Sequence, residues 1–217
     1  MAINSCPLIS TFPTVVDGTP RHQGVLTAQE APEIIHGVRY DYPGDYAFAS
    51  TLATRGKAEG RQTVLANDVH YPLDYGTVMP MVCYLDRAQR LPLVPISVCL
   101  AANLDECFAW GRTLARVARE GAQRVGFVAS GSVSHKLVRG PDKGPLPAEE
   151  ALDHEFARLL AGGDYEKLWS WLPGYVTSVE AEMGGRHLAM MVGALVESGA
   201  RYETRVHAYG PSSGSGN

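Results

Sequence analysis

The run Gly131-Ser132-Val133-Ser134-His135 delivers an imidazole at the end of a stretch of small residues. Small residues allow a tight turn and close backbone approach to a ligand, and an imidazole with a free pKa of about 6.5 can give or take a proton near neutral pH. The same histidine could equally hydrogen-bond to a neighbouring loop, and position alone leaves both readings open. A second chemical segment is Asn67-Asp68-Val69-His70-Tyr71-Pro72-Leu73-Asp74-Tyr75-Gly76-Thr77. Polar and aromatic residues crowded at such a junction often line a pocket. His70, Asp74 and Tyr75 are its candidates for substrate contact, with Ser134 beside His135. Asp74 is equally suited to a turn or a helix cap.

Other chemistries find little support. A nucleophile elbow needs Gly-x-Ser-x-Gly, and the chain offers Gly131-Ser132-Val133-Ser134-His135 instead. A Walker loop and a Gly-x-Gly-x-x-Gly fingerprint are absent, so nucleotide binding has no motif behind it. Cys6, Cys83, Cys99 and Cys107 form no Cys-x-x-Cys pair and read as free thiols in a reducing compartment rather than as a zinc site or disulfides. His22, His36 and His70 are scattered, and the Met190-Met191 pair reads as core filler.

The elements that must position these residues follow from patterning. Leu93–Leu100 is a continuous apolar run, as in a strand covered on both sides, with Pro95 its one weakness. A helix capped by Asn103 and Glu106 carries Leu104, Cys107, Phe108, Gly111, Leu114, Ala115 and Ala118 on one stripe and stops at Gly121. Arg124–Ser130 reads as a second buried strand running into the His135 turn. Strand, helix, strand is a βαβ unit with parallel strands, so the class is α/β. Ligands of such sheets bind beyond the carboxyl ends of the strands, so Tyr75 and His135, each following a strand-like segment, are expected to face one pocket.

Elsewhere, Pro7–Pro43 reads as irregular, and Thr63–Ala66 as a short strand before a helix starting near Met79. Helices are predicted over Tyr46–Ala58, Pro147–Leu160, Asp164–Trp171 and Arg186–Glu197, the last with Leu188, Met191, Val192 and Leu195 inward. The alternation of Arg201–Tyr209 predicts a half-exposed strand.

With 217 residues, 45% hydrophobic and 19% charged, the chain is neither disordered nor large enough for two ordinary domains. A net charge of −4 argues against nucleic acid or an acidic membrane surface as partner. The N-terminus has no basic segment followed by an apolar core, and no apolar run suits a spanning helix, which predicts a cytoplasmic protein.

Four segments in register resemble a known family. Asp74-Tyr75-Gly76-Thr77, Leu93-Val94-Pro95-Ile96-Ser97, Arg124 through His135, and Arg186 through Leu195 are similar to the class III extradiol ring-cleavage dioxygenases of the protocatechuate 4,5-dioxygenase catalytic-subunit type. Asp-Tyr-Gly and Arg39-Tyr40-Asp41-Tyr42 are most similar to 2-aminophenol 1,6-dioxygenases. The resemblance spans roughly Ser10 to Asn217. It implies a three-layer α/β/α sandwich with a mostly parallel central sheet, Fe(II) in a two-histidine, one-carboxylate triad, and a catechol or 2-aminophenol ring opened with O₂. It makes His135 the acid/base group and Tyr75 the substrate contact.

It also marks departures. Ser10-Thr11-Phe12 carries Phe12 where the family has an iron histidine, and the chain reaches Gly214-Ser215-Gly216-Asn217 before the carboxylate ligand. The metal ligands are therefore unknown, and Fe(II) is implied by the resemblance alone. The expectation is a single domain over residues 1–217 lacking the family's N-terminal and C-terminal strands. Its exposed sheet edges call for a second copy or a related partner subunit. The alternative is an iron-free, non-catalytic paralogous subunit or scaffold of the same fold.

Overall fold

The computed structural model describes the backbone of residues 2–10 and 212 and, in full, residues 13–27, 35–137, 143–200, 202–211 and 215–217. The chain forms two compact units, Met1–Ala102 with Val117–Ser130, and Asn103–Arg116 with Gly131–Asn217.

The first unit is built on a five-stranded sheet. In chain order it holds β1 (Ala2–Ser10), β2 (Thr14–Asp17), β3 (Arg21–Leu26), β4 (Val38–Pro43), α1 (Tyr46–Ala58), β5 (Thr63–Ala66), α2 (Tyr75–Pro80), β6 (Val94–Cys99), the last turn of α3 (Leu104–Glu120) and β7 (Phe127–Ser130). The order across the sheet is β5-β2-β6-β1-β7, and β3 and β4 pair as a separate hairpin. Strand β1 runs parallel to both β6 and β7, so the two runs expected to lie near each other are parallel and one strand apart. β2 is parallel to β5 but antiparallel to β6. The class is α/β with a mostly parallel, mixed sheet, as expected.

Local chemistry accounts for these elements. All six residues of β6 are buried, which explains its unbroken apolar run. Asp45 caps α1 by accepting from the Phe48 N–H at 2.9 Å, and Arg55 and Lys57 sit at the negative end of its dipole. The Asn103 and Glu106 side chains each accept from the other's backbone N–H at the start of α3, as their spacing predicts. Leu26, Tyr40, Tyr42, Leu73, Val78, Met81 and Leu93 form a buried cluster joining the hairpin to α2 and the start of β6.

The second unit begins with α3 to Arg116 and continues with α4 (Pro147–Gly162), α5 (Tyr165–Ser178), α6 (Arg186–Ser198), and the short paired strands β8 (Pro211–Ser212) and β9 (Ser215–Gly216). Two glycines let α3 and α6 touch backbone to backbone. A Cβ on Gly111 would stand 1.9 Å from the Met190 carbonyl oxygen, and one on Gly193 would stand 2.0 Å from that of Phe108.

Several expectations need correction. Pro7–Pro43 is not irregular: it holds the end of β1, all of β2 and the β3–β4 hairpin, whose short polar strands mask the period-2 signal. The strand after α3 starts at Phe127 rather than Arg124 and is only half buried, because β7 lies at the sheet edge. α2 begins at Tyr75, four residues before the predicted start, since Asp74 supplies the cap. α5 continues to Ser178, through Pro173. α6 turns Met190 inward in place of Met191, which is half buried. Residues 202–210 form no strand, because alternation without a partner ladder cannot satisfy the backbone. Arg201, with Thr11, Phe12, Ser213 and Gly214, lies outside the described residues.

Candidate active site

The segment after β7 is held from several directions within the second unit. The Ser132 N–H donates to Glu182 Oε2, and Ser132 Oγ donates to Asn217 Oδ1 at 2.7 Å. The Val133 N–H donates to the Gly216 carbonyl at 3.0 Å, and the Gly216 N–H donates back to Ser134. The His135 N–H donates to the Val179 carbonyl, and His135 pairs with Ser215 in an isolated antiparallel bridge. His135 is thus fixed by its backbone while its side chain stays 27% exposed, with Nε2 standing 4.0 Å from Glu182 Oε1.

Ser134 is fully buried and serves a carboxylate rather than an open pocket. Its Oγ donates to Asp153 Oδ2 at 2.6 Å. Asp153, on α4 and 2% exposed, also accepts from Tyr175 at 2.6 Å and from Tyr209 at 2.7 Å. Burial, reinforced by the bond to Asp153 and its charge, raises both phenols well above the usual tyrosine range. These phenols are donors, not acids, near neutral pH.

His187, in the first turn of α6, is completely buried. Burial pushes its pKa down to about 4; a backbone bond with Ser132 opposes this, and the neighbouring His135 adds to it. His187 is a neutral imidazole packed behind the His135 turn.

In the first unit, Asp74 Oδ1 accepts from the Thr77 N–H at 2.8 Å and caps α2. Tyr75 is the first residue of that helix and is 36% exposed. The His70 N–H donates to Asp68 Oδ1, and its ring is exposed. Burial, followed by the charges of Asp74 and Asp17, raises the Tyr71 phenol. Asp17, at the end of β2, accepts from the Thr19 N–H and hydroxyl at 2.9 and 2.6 Å. Its other oxygen faces His22 Nδ1 at 3.8 Å in a buried pair. Burial lowers the His22 pKa, with the Asp17 charge and the Leu93 backbone opposing it.

The argument that Tyr75 and His135 leave the sheet at one edge does not hold. β5 and β7 run in opposite directions, so their carboxyl ends lie at opposite edges of the sheet. His70 and Asp74 accompany Tyr75 in the first unit, and Ser134 accompanies His135 in the second.

Sequence reasoning overlooked Glu182, Asp153 and His187 as parts of a site. A signal for Glu182 exists in its surroundings. Glu180 and Met183 have φ of 47° and 49°, and Gly184 and Gly185 have 62° and 71°, so four of six residues are left-handed around it. Non-glycine residues hold such φ only where the surroundings impose it, and such strain gathers at functional sites.

Among the described residues, no group of three or more His, Cys, Asp and Glu side chains is placed to hold a metal ion. No described helix is long and apolar enough to cross a membrane.

Residues 8–216 match a family model described as the catalytic LigB subunit of aromatic ring-opening dioxygenase. A 3,4-dihydroxyphenylacetate 2,3-dioxygenase of Escherichia coli is 24% identical over 197 residues, 88% of this chain and 70% of that protein. A 2-aminophenol 1,6-dioxygenase alpha subunit of a Pseudomonas species is 26% identical over 186 residues, 82% of this chain and 66% of that protein. The crystal structure of the uncharacterized protein JW3007 from Escherichia coli K12 shares the fold. It superposes with a TM-score of 0.69 at 19% identity, covering 99% of this chain and 81% of that one.

Proposed function

The chain belongs to the LigB family of aromatic ring-opening dioxygenases, and from that premise we propose that it serves in the extradiol cleavage of catechol- or 2-aminophenol-type rings. Its part is to bind the ring and move its proton. His135 takes the proton of a ring hydroxyl as general base and returns it as general acid. The observation that carries this reading is the His135 turn itself. A backbone pinned at Ser132, Val133 and His135 presents a partly exposed imidazole beside a carboxylate, the arrangement general acid/base work needs.

In the family, Fe(II) supplies oxygen activation. The described donors of this chain do not fit such an ion, since no three of them converge. That observation favours the second reading, an iron-free paralogous subunit whose fold is kept for assembly. Both readings place the chain in an oligomer, with itself or with a related subunit.

Anaerobic Fe(II) reconstitution of the isolated chain separates them, with bound iron counted and O₂ uptake followed on catechol and 2-aminophenol. Stoichiometric iron with ring-opened product establishes the chain as an enzyme by itself. No bound iron, with ring binding weakened by His135→Ala in anaerobic calorimetry, establishes the ring-binding role without it. No ring binding at all refutes the proposal and leaves the scaffold subunit.

A further inference from the structure

The start of α1, the lead-in to β6 and the loop before β7 enclose a cavity of about 510 Å³ within the first unit. Phe48, Leu91, Val94 and Val125 give it apolar walls, and Asp45 and Arg124 are its charges. Backbone bonds pin those walls. The Leu93 N–H donates to the Pro43 carbonyl at 2.8 Å, the Leu91 N–H to Asp86 Oδ2 at 2.6 Å, and the Phe48 N–H to Asp45 Oδ1 at 2.9 Å. The fold therefore builds the cavity before any ligand arrives, and its volume falls in the range of small-molecule sites. It opens at the amino ends of β6 and β7, and none of its lining residues belongs to the site described above.

The two charges are not equivalent. Asp45 is committed to the cap of α1, where the positive end of the helix dipole offsets it. Arg124 makes no ion pair or side-chain hydrogen bond with any other described residue. A guanidinium offers its donors in a fork that matches a carboxylate, and it cannot shed its charge. An inorganic anion would leave the apolar walls wet, whereas an organic one covers them and sets its charge on the fork. We infer that this cavity is a binding site for a small apolar carboxylate. Arg124 holds the acid group, and Phe48, Leu91 and Val125 pack against the hydrocarbon body. The site is additional to the ring chemistry proposed above and does not depend on it.

Amide ¹H–¹⁵N spectra of the full chain test the site, titrated near neutral pH with benzoate, benzyl alcohol, benzylamine and inorganic phosphate. Benzoate is expected to shift the Phe48, Leu91, Val125 and Gly126 amides to saturation, and to bind more tightly than benzyl alcohol. Benzylamine and inorganic phosphate should leave those amides in place. Arg124 is exposed, so Arg124→Gln should fold as the wild type does. It should weaken benzoate by about tenfold or more, the worth of one charge-assisted hydrogen bond, and leave benzyl alcohol unchanged. Val125→Trp fills the cavity from its own wall and should abolish the shifts from both. No saturable benzoate shift at these amides overturns the inference, as does equal affinity for benzylamine or benzoate binding unchanged in Arg124→Gln. Shifts of the same amides with protein concentration alone overturn it too, because they make the cavity a contact between copies of this chain. Benzoate shifts confined to the His135 turn assign the acid to the ring site instead and likewise overturn it.

Discussion

Removing the Asp153 carboxylate should loosen the His135 turn and cost a large part of the stability of the second unit. Asp153 accepts three hydroxyl bonds of 2.6, 2.6 and 2.7 Å at a site only 2% exposed. In Asp153→Ala, the Ser134 and Tyr175 hydroxyls, 0% and 2% exposed, lose their acceptor where water cannot replace it. Tyr209 is partly exposed and can turn to solvent. Two stranded buried donors at about 1–3 kcal/mol each give a loss of about 2–6 kcal/mol. Against a usual domain stability of about 5–15 kcal/mol, that is a severe lesion. Urea unfolding measures the total, and amide exchange locates it. The Gly216 and Val133 N–H groups, which tie the turn to residues 215–217, should exchange much faster than those in the middle of α6. Asp153→Asn keeps an acceptor oxygen and should lose less. A loss in Asp153→Ala below about 1 kcal/mol, with unchanged protection at Gly216, would refute the reasoning, because it would mean the hydroxyls find other partners.

The other predictions follow from burial and close approach. The folded pKa of His187 lies at about 4, below the unfolded value, so stability is full above pH 6.5 and falls as the pH drops toward 4. That difference is worth roughly 3 kcal/mol. Unfolding midpoints from pH 7 to 4.5 should show the fall, and His187→Gln should flatten it; an equal slope in the variant counts against the assignment. Gly111→Ala and Gly193→Ala each force a methyl group into a carbonyl of the facing helix and should each destabilise by about 1–3 kcal/mol or more, read by urea unfolding. A neutral alanine at either position would mean that α3 and α6 do not meet there.

What the sequence determined is what short-range rules encode. The Asp45 cap with its Phe48 partner, the reciprocal Asn103–Glu106 pair and the continuous burial of β6 each depend on residues within a few positions of one another, so composition and spacing are enough. The same local information placed His135 after a strand and Tyr75 beside Asp74. The order of the sheet lay beyond it. Nothing in Thr14–Asp17 says that this strand will run against β6 rather than with it, and that reversal puts the ends of β5 and β7 at opposite edges. The alternation in 202–210 met every local criterion for a strand and formed none, because a strand is a property of a pair. The network around His135 is long-range throughout. Asp153 collects hydroxyls from 19, 22 and 56 residues away, and Glu182 reaches back 50 residues to Ser132. A buried carboxylate has no sequence signature of its own: only the fold decides which donors arrive to satisfy it, and therefore whether it can be buried at all.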